Sequence, residues 1–220
     1  MKTWFYNRSL YRFLEIPIPQ CFLDLDEHYG QDSSIPNLLA SNAQHAENVC
    51  RRMADLELYA NLTSIACGDT DAFRGALFAG SYMVGYFSAC KSLLDAVAVA
   101  LNEIHRLSLP AREQDFGKPK FWNTLKSSNP GRERAFSSYR QFGHEVIKWR
   151  DAAVHRKTPV IIVCSAGDPY KVPRDALSIR MVDDPNPDYS KEPKRDPADV
   201  HARWRAEFIA ICAETCQDLR

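Results

Sequence analysis

The stretch from Ala72 to about Leu107 constrains the fold of this chain more than any other. Its apolar residues recur at helical spacing and cover much of the circumference, so a helix here has little surface to give to water. Such a helix is expected to be the central, buried member of a bundle. Thr70 or Asp71 offers an N-cap, and Pro110 stops the run. Gly75, Ala79, Gly80, Gly85, Ala89 and Ala96 carry little or no side chain, which lets other helices approach closely. Lys91 and Asp95 interrupt its second half, and no uninterrupted apolar window reaches the length of a membrane span. No membrane association is expected.

A second helical pattern precedes it, from about Asn37 to Cys67. Leu38, Leu39, Ala43, Ala46, Val49, Cys50, Met53, Leu56, Leu58 and Leu62 form a broad apolar face, and Gly68-Asp69 ends it. Residues 110–131 read as a polar connection with a short amphipathic piece around Phe121 to Leu125, broken by Asn129-Pro130-Gly131. A third helix is expected from about Arg132 to His155, with its core stripe at Tyr139, Phe142, Val146, Trp149 and Ala153. After Pro159 the period changes. Val160 to Cys164 and Ala176 to Val182 read as the strands of a β-hairpin. Residues 183–197 have the Asp, Pro, Asn and Lys content of a mobile loop, and Asp199 to Leu219 closes the chain as a helix. Its apolar face is Trp204, Phe208, Ile211 and Cys212.

Lysine plus arginine and aspartate plus glutamate both number 28, giving zero net charge. That excludes coating of nucleic acid by bulk charge but leaves room for a local basic patch. The first residues contain no apolar core of a signal peptide, since Arg8 and Arg12 interrupt early. A cytoplasmic protein is expected. The seven cysteines, Cys21, Cys50, Cys67, Cys90, Cys164, Cys212 and Cys216, contain no C-x-x-C pair, and they read as buried reduced thiols. Neither a metal site nor a cofactor is expected.

The end of the third helix carries the residues with chemical potential: Lys148-Trp149-Arg150-Asp151-Ala152-Ala153-Val154-His155-Arg156-Lys157. An arginine supplies a permanent cation and a histidine supplies a base that titrates near neutrality. Cleaving RNA without a metal needs both, one to hold the phosphate and one to take the 2′-hydroxyl proton. His144, Lys148, Asp151 and His155 are spaced 4, 3 and 4, so they share one stripe, and Arg140 extends it by a turn. Asp151 is placed to orient the His155 ring. Arg150, five residues before His155, lies about 140° around the helix from it. That offset calls for an unwound helix end or for two copies of the helix meeting across a two-fold axis, and the dimer is the more economical answer.

In these residues the chain resembles the HEPN superfamily, helical-bundle domains whose ribonuclease members carry Arg, four to six residues, then His. Here the motif reads Arg150-Asp151-Ala152-Ala153-Val154-His155. Tyr86 to Ala96 also looks like part of the first long helix of some prokaryotic members. The resemblance covers roughly residues 37–157. It implies a mainly α, HEPN-like bundle over 37–157; the N-terminal arm (1–36), the hairpin and mobile loop (158–197) and the C-terminal helix (198–220), expected to pack on the bundle, fall outside the resemblance. It further implies a metal-independent RNA endonuclease acting as a homodimer and leaving 2′,3′-cyclic phosphate ends. His155 would be the general base, Arg150 the phosphate ligand and Asp151 the orienting group. Lys148, Arg156, His144 and Lys91 are candidate substrate contacts. Relatives of this kind serve as toxins or phage-defence effectors, so an antitoxin or regulatory protein is a candidate partner.

The chain has Asp151 where many active members have Asn, and an anion beside a phosphate site opposes phosphate binding unless it is paired. Three plainer accounts stand beside the nuclease. The motif is a solvated, salt-bridged helix end, in which basic residues favour the helix dipole. Lys91 and Asp95 form an intrahelical ion pair. The bundle is a catalytically inactive HEPN module that binds a nucleotide or a protein partner.

Overall fold

A computed structural model describes residues 37–155, 161–165, 177–185 and 195–219; side chains of 37–43 and of residue 219 are not described. The described elements are α1 (Asn37–Cys67), α2 (Ala72–Ile104), a 3-10 turn (Ala111–Glu113), α3 (Pro119–Ser128), α4 (Pro130–Ser137), α5 (Tyr139–His155), β1 (Ile161–Cys164), β2 (Ser178–Met181) and α6 (Pro197–Leu219). The protein is mainly α, with a small antiparallel hairpin before the last helix, as the hydrophobic periodicity predicts. The edge strand expected near residues 12–19 lies outside the described residues.

α2 begins where a short polar side chain can cap it. Asp71 Oδ1 accepts from the backbone N–H of Phe73 (3.1 Å) and of Arg74 (3.2 Å). The helix ends before the expected Leu107, because Arg106 and Ser108 take left-handed φ values of 50° and 55° and reverse the chain. Asn102 secures that reversal: its carbonyl accepts from Leu107 N, and its Oδ1 accepts from Leu109 N at 3.0 Å. By length and mean composition α2 would suffice to cross a membrane, although Arg74, Lys91 and Asp95 interrupt its apolar run. In this fold it is a core helix: Tyr86, Phe87, Cys90, Leu93, Leu94, Val97, Ala98 and Leu101 are fully buried.

The connection expected at 110–131 is more ordered than its polarity suggests. Pro119 starts α3, and Phe116, Phe121, Trp122 and Leu125 are fully or almost fully buried. Trp122 Nε1 donates to the Phe116 carbonyl at 2.7 Å, so its one polar atom enters the core satisfied. The third helix expected from Arg132 is split at Ser138 into α4 and α5. The Ser137 hydroxyl donates to the Arg134 carbonyl at 2.7 Å, a side-chain bond that competes with the helical ladder there. In the hairpin, Ile161 pairs with Met181, Ile162 with Arg180, Val163 with Ile179 and Cys164 with Ser178. The segment expected to be mobile is described only at its ends. One of them is tied down, since Met181 bridges to Arg195 through an N–H to carbonyl bond of 3.0 Å.

The chain divides into two compact units, the first made of residues 1–54, 90–144 and 206–220, the second of 55–89 and 145–205. In the first, Phe116 packs edge-on against Trp122 (4.7 Å between centroids) and Phe142 against Phe208 (5.1 Å). In the second, Tyr86, Phe87, Trp149 and Trp204 form the aromatic centre. The expected faces hold for α5 at Phe142, Val146 and Trp149 and for α6 at Trp204, Phe208, Ile211 and Cys212. Leu58 departs from its expected face: it is exposed.

Candidate functional site

The motif is delivered by the second half of α5. Val146, Trp149 and Ala152 are buried, which fixes the rotation of the helix and turns Lys148, Asp151 and His155 outward. The Trp149 ring is 2% exposed and stacks on Phe87 at 5.5 Å, with the Arg195 guanidinium 6.0 Å from its centroid. It anchors α5 and is not presented for stacking on a base.

Arg150 brings the motif together within one chain. Its Nη1 lies 3.0 Å from Nε2 of His155 and 2.9 Å from Oδ1 of Asp151. The angular offset between Arg150 and His155 is spanned by the length of the arginine side chain, on a helix that stays regular through His155. Neither an unwound end nor a second copy is needed to join them, which corrects the geometric argument for a dimer. A guanidinium only donates, so His155 Nε2 is the acceptor here, and a neutral ring carries its proton on Nδ1. Asp151 does not take its expected position against the imidazole; its carboxylate is on Arg150 instead.

The Arg150 and Asp151 side chains are 34% and 47% exposed. A pair so open to water contributes about 0.2–1 kcal/mol. An incoming phosphate, which offers an arginine two acceptor oxygens, competes with it on favourable terms. Lys148 also points to solvent, its Nζ 3.7 Å from Asp184 Oδ2, with both side chains more than half exposed. Arg156 lies outside the described residues.

His144 and Lys91 belong to the other unit. His144 is exposed. Lys91 is only 17% exposed and is held between Asp95, one turn along α2, and Asp115 Oδ1 at 3.2 Å. This is the ion-pair account of Lys91, widened by a second carboxylate. Among the described residues no cluster of His, Cys, Asp and Glu could hold a metal ion.

Three histidines outside the motif are partnered. His45 Nε2 lies 2.8 Å from Glu103 Oε2, and His105 Nε2 lies 3.3 Å from Asp218 Oδ2. His201 stands in a network that joins three helices of the second unit. Its Nε2 is 3.4 Å from Glu57 Oε2, its Nδ1 is 3.2 Å from the Tyr86 hydroxyl, and Arg205 Nε donates to Glu57 Oε1 at 2.7 Å. Burial pushes the Glu57 carboxyl up, yet the hydrogen bonds and charges of His201 and Arg205 outweigh it and hold the group below its ordinary 4.5. With both ring nitrogens engaged, His201 holds helices together rather than acting as a base. The sequence signal for this network was a glutamate next to Leu56 on the apolar face of α1.

Cys50, Cys90 and Cys212 are buried and not in disulfides, in line with expectation; Cys67 and Cys164 are not in disulfides either but are only partly buried. Cys216 departs from the expectation, being disulfide-bonded. Burial, with a smaller effect of Asp196, raises the Cys67 thiol; burial, with a smaller effect of Cys50, raises Cys212. Neither is an activated nucleophile.

Compared with known proteins, the chain matches no family model, no curated protein and no solved structure.

Proposed function

We propose that the chain is a metal-independent RNA endonuclease of the HEPN type, with Arg150 and His155 as its working pair. The observation that carries this reading is the 3.0 Å approach of the Arg150 guanidinium to His155 Nε2 at an exposed helix end. In the proposed reaction, a non-bridging phosphate oxygen replaces Asp151 and His155 on the guanidinium. The freed Nε2 lone pair takes the 2′-hydroxyl proton, and the 2′-oxygen attacks phosphorus. The P–O bond to the 5′-oxygen breaks, leaving a 2′,3′-cyclic phosphate, and the departing oxygen is protonated by the imidazolium. Lys148, with its weak 3.7 Å contact to Asp184, is free to swing toward a flanking phosphate. A toxin or phage-defence role and a homodimeric state follow from the same resemblance and belong to the same proposal.

One observation favours a second reading, the catalytically inactive binding module. The Asp151 carboxylate lies 2.9 Å from Arg150 Nη1 and sets a negative charge beside the guanidinium that a phosphate would need. RNA cleavage in EDTA with end-group analysis separates the two. The nuclease reading expects cyclic phosphate ends from wild type and a loss of about 10²–10⁴-fold in His155→Ala. Arg150→Ala is expected to lose about 10²–10³-fold. A folded wild type that leaves total RNA intact would favour the binding module.

A further inference from the structure

Trp149 anchors α5, and three cations border it. Lys148 precedes it in the chain, Arg150 follows it, and the Arg195 guanidinium lies 6.0 Å from its ring centroid. Arg195 is not on α5. It reaches Trp149 from the residues just before α6, where its carbonyl accepts from Met181 N at 3.0 Å. That backbone bond and the indole ring keep the guanidinium near the motif. All of these residues belong to the second unit.

Each of the three cations faces an aspartate. Asp151 is 2.9 Å from Arg150, Asp184 Oδ2 is 3.7 Å from Lys148 Nζ, and Asp183 Oδ1 is 3.5 Å from Arg195 Nε. Asp183 and Asp184 are exposed on a bend whose neighbours on either side, Val182 and Pro185, are buried. The two buried residues fix the bend and set its two adjacent carboxylates beside Lys148 and Arg195. Neither contact is tight, since a good N–H···O bond spans about 2.7–3.2 Å. Lys148, Asp183 and Asp184 are also half exposed or more, so water screens both pairs. A phosphodiester brings the same charge with two free oxygens and can approach each cation to hydrogen-bond distance.

We propose that Lys148 and Arg195 bind the RNA backbone beside the phosphate held by Arg150, and that Asp183 and Asp184 oppose this binding through their charge. The inference rests on the nuclease reading for its ligand and adds Arg195 and the aspartate bend to it. A chain of zero net charge thereby gains a local basic face, kept neutral until a polyanion arrives. A strand with consecutive phosphates engages several of these cations together, whereas a single phosphate must face the aspartates for one contact. The ligand selected is an RNA strand rather than a mononucleotide.

The test is fluorescence anisotropy of the full chain with a short 2′-O-methyl RNA, which lacks the attacking hydroxyl and stays intact, over a salt series. Asp183→Asn with Asp184→Asn is expected to tighten binding by about ten-fold, from two exposed ion pairs. Lys148→Ala and Arg195→Ala should each weaken binding and flatten the slope of log K against log salt by about 0.7, one phosphate contact on a single strand. Arg195→Lys should keep the slope, because the cation is kept. The gain from the asparagines should disappear when both cations are removed. Helical circular dichroism checks that each variant is folded. A slope and affinity unchanged in every variant overturn the inference; RNA cleavage lost in His155→Ala alongside them would leave the nuclease standing without this subsite. Slopes that fall as expected in a chain that cleaves no RNA would keep the subsite and remove the nuclease. No RNA binding by wild type or by the doubly substituted chain also overturns the inference.

Discussion

Glu57→Gln is the substitution whose effect is most closely set by geometry. The carboxylate is 10% exposed and accepts from Arg205 at 2.7 Å, with His201 Nε2 at 3.4 Å. Glutamine keeps the volume, so no cavity forms, and one oxygen still accepts from Arg205. What is lost is charge. A charge-assisted bond contributes about 1.5–3 kcal/mol, against about 0.5–1.5 for a neutral one. Arg205 is 36% exposed, so water already screens part of that difference. A net loss of about 1–2 kcal/mol follows, or about 2–8 °C in Tm for a chain of this length. The pH dependence is the sharper readout. The folded pKa of Glu57 is below 4.5, so its contribution is complete above pH 4.5 and is lost as pH falls through the folded value. Urea unfolding at pH 7 and at points below pH 4.5 should show the two proteins converging in stability as acid is added. A gap that stays constant across that range would refute the assignment of the stabilisation to the ionised carboxylate.

Arg132→Ala should destabilise by about 2–4 kcal/mol in urea unfolding, since it leaves Glu214 and Asp218, partners at 2.7 Å and about 21% and 9% exposed, without their cation. Gly143→Ala places a Cβ 2.8 Å from the Phe116 ring and should cost about 1–3 kcal/mol by overpacking, measured as a lowered Tm. Cys212, fully buried with its thiol pushed up, should resist iodoacetamide in the native protein and react on unfolding; labelling at the native rate would contradict its placement.

Much of the fold was legible because burial follows period. α1 and α6 fall within two residues of expectation, and the hairpin strands within two of theirs. What the period could not reveal was decided by contacts distant in sequence. Residues 110–131 look polar, yet Phe116, Phe121 and Trp122 collect into one cluster that organises α3. Leu58 looks like core by hydrophobicity alone, but buried Leu56 and Glu57 beside it rotate it to the outside. His201 and Glu57 are 144 residues apart, so no local pattern could join them.

The motif was legible as a set of residues and not as a geometry, because helical angles locate Cβ atoms and not the ends of long side chains. Arg150 reaches His155 despite the offset, while Asp151, well placed by spacing to meet the imidazole, binds the guanidinium instead. Nη1 carries two N–H groups and serves both contacts at once, so Asp151 bears on a phosphate through its negative charge beside the guanidinium. Asp151→Asn removes the anion while keeping an acceptor at nearly the same place. If Arg150 holds substrate, RNA should bind more tightly to the variant, by up to about five-fold for the about 0.2–1 kcal/mol of an exposed pair. The gain should vanish when Arg150→Ala is added, since the cation through which it acts is gone. Unchanged affinity in Asp151→Asn, or a gain that persists without Arg150, would remove Arg150 from the substrate site and leave the exposed end of α5 as a salt-bridged helix terminus.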